Sequence, residues 1–360
     1  VDFSSNGEFV VSGSRDNTAR VWESMTGKDI ARVTHDQSVL HVRFSPDSKY
    51  VLSDSSDFTA RVWEAITGIE VARTTHDRLI TSAAFSSDGK LAITGSDNGT
   101  VHVWEILPSA ETARMVHDDT VYSVAFSPDG KLAASGGNDN IVKVIAVSSN
   151  SELYKTEFPG TVFSLKFSSD GRYLIAAGGT NLKLIEALTG KELLDLSQTG
   201  NILSVDISSD NKYIVSGNEE SKVYVWSIAT GNQLLDISYD GKVRSVSFSS
   251  DNRYVVSGGG NRACIWDITT KVEITCKEHP REVISVAFSP NNKFVASGDD
   301  DTAYVWDATT GKEMASFRHG NFVYGIAFSP NGKYVISGGQ HTAIVWEAMT
   351  GKIIASAIHD

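Results

Sequence analysis

Long apolar runs, basic clusters and cysteine are what this chain has least of. No uninterrupted apolar stretch approaches the roughly 20 residues that a membrane-spanning helix needs, so a helical membrane span is not expected. Val1 opens in mid-motif, without the charged leader and apolar core of a signal peptide, and the chain reads as a fragment of a longer protein. The formal net charge of −12 and the absence of Lys/Arg runs exclude a nucleic-acid or anionic-membrane surface. A neutral or basic protein partner is electrostatically easier. Two cysteines, Cys264 and Cys276, are too few for a disulfide framework in 360 residues. They lie equidistant from Thr270, so a tight hairpin would set them face to face. The reading preferred here is two small hydrophobes in a reduced compartment, and the chain is expected to be cytoplasmic.

Catalytic signatures are missing too. There is no HExxH, GxSxG, GxxxxGK[ST] or CxxC. The recurrent Thr-Gly-Lys is a turn, the glycines at 258–260 follow a strand without opening a helix, and Asn98-Gly99-Thr100 is a chance match to the glycosylation tripeptide. No metal and no cofactor are expected.

What the chain does have is repetition. All seven tryptophans (Trp22, Trp63, Trp104, Trp226, Trp266, Trp306 and Trp346) follow Val or Ile, and Ile145 and Ile185 fill the two gaps in phase. Nine copies of 40 to 41 residues therefore make up residues 1–360, read as one domain. Within a copy, residues 117–157 hold four short apolar segments divided by Pro-Asp-Gly-Lys, Asn-Asp-Asn and a polar link, the spacing of an all-β protein. Short connections predict a four-stranded antiparallel meander. Strands that read VAF, VSF or ARVW carry small and bulky residues without polar alternation, which means that both faces are covered. A row of such sheets hides its end faces by closing into a ring.

At this point the resemblance to the WD-repeat (WD40) β-propellers covers the whole chain, and the wording of the copies is similar to prokaryotic arrays. The fold expected is all-β, one closed nine-bladed ring. The family fingerprint implies a buried polar set in which Asp accepts from His, His meets a hydroxyl, and the hydroxyl meets the indole N–H. The second copy offers His35, Ser53, Asp57 and Trp63. The eighth offers His279, Ser297, Asp300 and Trp306, with Asp301 as a rival acid after a one-residue deletion. The third has His76, Thr94, Asn98 and Trp104; the fourth has His117, Ser135 and Asp139 but Ile145 for the indole. In the ninth, His319, Ser337 and Trp346 remain and Gln340 replaces the acid. Phe158, Gln198 and Tyr239 replace histidine in the fifth to seventh copies, an arc expected to have lost the network either by drift or by specialisation. Histidines at one phase of successive blades cannot converge within about 2 Å of one ion, so they are not zinc ligands.

Nine periods at the mean spacing need about 365 residues, five more than are present, and the end at His359-Asp360 is in phase with the start. His359 would then complete the set of Ser12, Asp16 and Trp22; a cut from a longer array is the alternative. The resemblance further implies a rigid, non-enzymatic platform for a protein or peptide partner, presented by a monomer. Its contact positions flank the residue that opens the first strand: Leu40, Thr81, Tyr122, Phe163, Leu203, Arg244, Ile284 and Tyr324 just after it, Phe322 and Lys242 just before. Arg15, Asp97, Asn138 and Glu219 precede the acid position and would add polar selectivity. The competing readings are small-molecule or carbohydrate binding in the central channel and a propeller-class enzyme.

Overall fold

The computed structural model describes residues 1–339 and 342–358. Among them the chain forms nine four-stranded antiparallel sheets, each built from strands consecutive in sequence, plus one turn of 3-10 helix at Val147–Ser149. The second blade is typical, with strands Val39–Phe44, Tyr50–Ser55, Thr59–Glu64 and Glu70–Thr75. No helix among these residues is long and apolar enough to cross a membrane.

Side chains build the turns. After the first strand of the fourth blade, Ser127 Oγ donates to Asp129 Oδ1 (2.7 Å) and accepts the Leu132 N–H (2.9 Å), while Gly130 takes a φ of 71°. That conformation costs glycine nothing and locks the reversal. The acidic residue after the tryptophan closes the next turn. Thr67 donates to Glu64 at 2.7 Å, and Asp307 Oδ1 accepts the N–H groups of Thr309 and Thr310 at 3.0 and 2.8 Å. A carboxylate of either length serves, which accounts for Trp-Glu and Trp-Asp in one chain.

The blades fall into two compact units. The first comprises Val1–Glu23 and Lys28–Ser197 and holds the strands of the first five blades; the second comprises Ser24–Gly27 and Gln198–Ile358. Inside the second, Tyr334 Oη donates to Met25 Sδ at 2.7 Å. Within each unit one contact recurs: the valine that opens a blade seats on a glycine in the second strand of the blade before it. A Cβ added to Gly13, Gly95 or Gly136 would lie 2.6 Å from Cγ1 of Val39, Val121 or Val162, and the second unit repeats this at 2.5, 2.6 and 2.6 Å for Gly217, Gly258 and Gly298 with Val243, Val283 and Val323. Only a residue without a side chain admits so close an approach. All six valines are buried.

The first strand of each blade is hydrogen-bonded to a partner strand on one side only, so its other edge exposes main-chain N–H groups. Serines of the neighbouring first strand cover them. Ser82 and Ser123 accept from Val124 and Leu165 at 3.3 and 3.1 Å; Ser204 and Ser245 accept from Val246 and Val286 at 3.2 Å. Asp2 and Asp206 do the same for Phe44 and Phe248 at 3.0 Å. These polar side chains supply the acceptors that buried backbone demands.

The cysteines correct an expectation. Arg262–Asp267 and Val272–Glu278 pair with Cys264 opposite Cys276, and the sulfurs are joined in a disulfide instead of standing as two reduced hydrophobes. The hairpin register brings them to one face of the sheet, as the spacing about Thr270 allowed.

Two outcomes follow for stability. Gly136→Ala forces its methyl onto Val162 and is expected to cost about 1–3 kcal/mol in urea unfolding, partly recovered by Val162→Ala in the same chain. Alkylation of the denatured, unreduced protein is expected to label neither cysteine. Cys276→Ser, which opens a loop of sequence separation 12, should lower stability by up to about 3 kcal/mol; labelling of both thiols would restore the reduced reading.

Candidate functional site

The polar sets were expected to tie three strands together. In the second blade, His35 Nδ1–H points to Asp57 Oδ2 (3.3 Å), Ser53 bonds His35 Nε2 (2.8 Å), and Trp63 Nε1–H donates to Ser53 Oγ (3.1 Å). Two further residues in this set are absent from the fingerprint. The Thr59 hydroxyl donates to Asp57 at 2.6 Å, and the buried Arg61 donates to Asp57 and to the Thr34 carbonyl at 3.2 and 3.1 Å. The first blade repeats this with Thr18, Arg20 and Asp16, and its Trp22 donates to Ser12 at 2.9 Å. The identical Thr-Ala-Arg between acid and tryptophan in both copies was the signal. His359 and Gln340 lie outside the described residues.

In the eighth blade the acid is neither Asp300 nor Asp301. His279 Nδ1 meets Asp299 Oδ2 (3.3 Å), Ser297 bonds Nε2 (2.9 Å), and Trp306 donates to Ser297 (3.0 Å). The deletion shortens the turn after the second strand and draws Asp299 into the acid position. Asp301 accepts from Arg318 at 2.8 Å instead. In the third blade Thr100 stands between His76 and Asn98, each contact 2.8 Å, and the Trp104 Nε1–H has no acceptor among the described residues. The fourth blade joins His117 to Asp139 and Ser135, both at 2.8 Å. In the ninth, Thr342 takes His319 Nδ1 at 2.9 Å, with Ser337 and Trp346 in place beyond it.

The arc expected to hold no network keeps part of one. Gln198 Nε2 donates to Ser216 Oγ at 2.7 Å, and the Tyr239 hydroxyl bonds Ser257 Oγ at 2.6 Å. Amide and phenol replace the imidazole arm. In the fifth blade Phe158, Ala176 and Ile185 take the places of histidine, hydroxyl and indole and pack in one cluster.

For His35, His76, His117, His279 and His319, both ring nitrogens are engaged, which leaves none to ligate a metal. Cys264, Glu273 and Cys276 also converge, but sulfurs bonded to each other offer no thiolate.

The expected contact positions share a local cause. Between the first two strands of blades two to seven the register slips by one residue: Val39 pairs with Ser55 but His41 with Asp54, and Val121 with Gly137 but Ser123 with Gly136. The residue skipped is Leu40, Thr81, Tyr122, Phe163, Leu203 or Arg244. A bulge of this kind leaves one residue unpaired and re-aims its side chain.

In the first unit Leu40, Tyr122 and Phe163 are exposed, and the Tyr122 and Phe163 rings lie 5.2 Å apart. Thr81 is turned inward, donating to the carbonyls of Gly95 and Val121. Arg15 is exposed, Asp97 is half-buried with Oδ1 unpartnered, and Asn138 is held between Asp119 and Thr161 at 2.8 and 2.7 Å. In the second unit Phe322 and Tyr324 are exposed and stacked 5.7 Å apart. Leu203 and Ile284 are half-buried, Arg244 is paired with Glu282 at 2.8 Å, and Lys242 lies 3.9 Å from Glu219.

Repeated four-stranded meanders with a polar set of this composition define a β-propeller protein built from nine blades. The profile of the WD domain, G-beta repeat family matches residues 1–23, 27–64, 70–105, 112–145, 152–186, 190–227, 233–267, 270–307 and 311–347, and the chain belongs to that family. Members are typically non-enzymatic interaction scaffolds. The search of curated proteins finds no match. Among solved structures the chain is similar to the computationally designed Ika8 protein, at 26% identity and a TM-score of 0.72, over 87% of this chain and 97% of that one.

The polar sets carry a pH dependence. Burial, with the Arg61 charge behind it, holds the His35 imidazole at about 4 despite Asp57; burial holds His319 at about 4, and burial with the neighbouring His102 holds His76 at about 3. Against the upward pull of burial, hydrogen bonds from Thr59 keep Asp57 at about 2. An unfolded histidine takes up its proton near pH 6.5, so below that pH the unfolded chain binds more protons than the folded one. The histidine contribution is complete above pH 6.5 and is lost as pH falls to about 4 and then 3. Asp57 loses its share between pH 3.8 and about 2. Urea unfolding across this range should show stability falling by on the order of 1–3 kcal/mol per imidazole. His76→Gln, which copies the arrangement of Gln198, should lower the slope by about one proton.

Proposed function

We propose that this chain is a non-catalytic platform that holds a protein or peptide partner on the bulged residues at the heads of its first strands. In the first unit these are Leu40, Tyr122 and Phe163 with Arg15 beside them; in the second they are Leu203 and Arg244, joined by Phe322 and Tyr324, which flank Val323 without a bulge. The observation that carries the reading is the bulge itself. It recurs in six blades while the residue placed on it changes from leucine to tyrosine, phenylalanine or arginine, so a fixed backbone device presents a varied set of side chains. Exposed aromatic pairs on a rigid scaffold are the anchors that dominate recognition surfaces. The net charge of −12 favours neutral or basic partners.

The test is a peptide-display selection on the wild-type chain, followed by affinity measurement on a chain carrying Tyr122→Ala, Phe163→Ala and Tyr324→Ala. Selected peptides are expected to lose at least about tenfold in affinity, because exposed anchors carry binding energy and not fold stability. Thermal unfolding should be unchanged. Full affinity in a folded triple variant would remove this surface from the proposal.

A further inference from the structure

One cross-strand pair sets the second blade apart. Near the start of the pairing between first and second strands, the third, fourth, sixth, seventh and eighth blades set serine opposite glycine: Ser82–Gly95, Ser123–Gly136, Ser204–Gly217, Ser245–Gly258 and Ser285–Gly298. The fifth pairs Ser164 with Ala177. In the second blade both members change, and His41 faces Asp54. Two departures at directly opposed positions act as one unit.

Asp54 is 1% exposed, deeper than an uncompensated carboxylate tolerates. Its Oδ2 meets His41 Nδ1 at 3.0 Å, and its Oδ1 has no hydrogen-bond partner among the described residues. A glycine at this place serves the other interfaces without that cost, so stability does not account for the carboxylate. What it does is fix the ring of His41, whose side chain is 53% exposed, with Nε2 left for a ligand. Two residues on, past the buried Val42, Arg43 is exposed on the same side of the strand. It lines a recess of about 780 Å³ within the first unit, together with Ser82, Ser123 and Lys166. The carboxylates whose charge Arg43 feels are Asp2 and Asp54. Asp2 already accepts the Phe44 N–H at 3.0 Å, and Asp54 holds His41.

We propose that this wall of the second blade binds a small oxyanion, the carboxylate or phosphate group of a metabolite-sized ligand, gripped by the Arg43 guanidinium with His41 Nε2 beside it, and with Asp54 as the positioning residue. Arginine supplies the planar donor fork that oxyanions fit, and the buried carboxylate fixes the orientation of the imidazole beside it.

The experiment is calorimetric titration of the full chain in chloride buffer with inorganic phosphate and, separately, succinate. Saturable binding of one equivalent of either is expected, and which of the two binds names the source of the oxyanion. Arg43→Ala and the double change His41→Ser with Asp54→Gly, which gives this blade the serine–glycine pair of its siblings, should each weaken binding at least about tenfold. The double variant should also unfold at a midpoint no lower than that of the wild type. Absence of saturable heat with both anions up to about 10 mM would overturn the proposal. So would a double variant that binds as well as the wild type, or one that is markedly less stable and thereby shows the pair to be structural.

Discussion

The valine seated on a bare backbone is the contact on which the rest depends. A four-stranded sheet of this composition buries both faces, and it does so against sheets of the same kind. The approach of Val162 to Gly136, or of Val243 to Gly217, sets how near two blades come. Once that distance is set, the serine hydroxyls reach the neighbour's unpaired N–H groups, and the skipped residue beside the valine is turned out of the sheet. Packing, edge protection and presentation of the candidate surface thus have one origin. The polar sets act later and locally, tying strands within a blade, which is why blades tolerate their dilution to a single glutamine or tyrosine bond.

Much of this was legible in the sequence because the signal repeats. The tryptophan period, the Ser-Pro-Asp-Gly turns and the small-bulky strands each occur often enough to fix fold class and blade count, and the second blade's His35–Ser53–Asp57–Trp63 chain stands where the family resemblance implied it. Where phase breaks, the reading breaks with it. A single deleted residue moved the eighth blade's acid to Asp299, because a tighter turn carries a different side chain to the same place. Gln198 and Tyr239 were read as losses since the template named residue types, whereas the hydroxyls of Ser216 and Ser257 require only a hydrogen-bonding group of suitable reach.

Other features were hidden for a geometric reason. His41 and Asp54 lie 13 positions apart and become partners only through a bulge that shifts the ladder by one. Arg61 looks like a surface residue by composition, yet its guanidinium is drawn under the blade by Asp57 and the Thr34 carbonyl. The disulfide has the same character. The hairpin centre was readable, and bonding of the sulfurs awaited the register that sets them on one face.

The recurrent seat between blades also bears on how such a chain changes over generations. Because six interfaces use the same knob and the same hollow, with Asp54 and Ala177 standing at that place in the second and fifth blades, most blades can exchange with a sibling at that contact. Unequal recombination between copies can then add, drop or shuffle whole forty-residue units without building a new junction, and the side chains carried on the bulges travel with them. Diversity of recognition in this architecture comes from permuting finished parts.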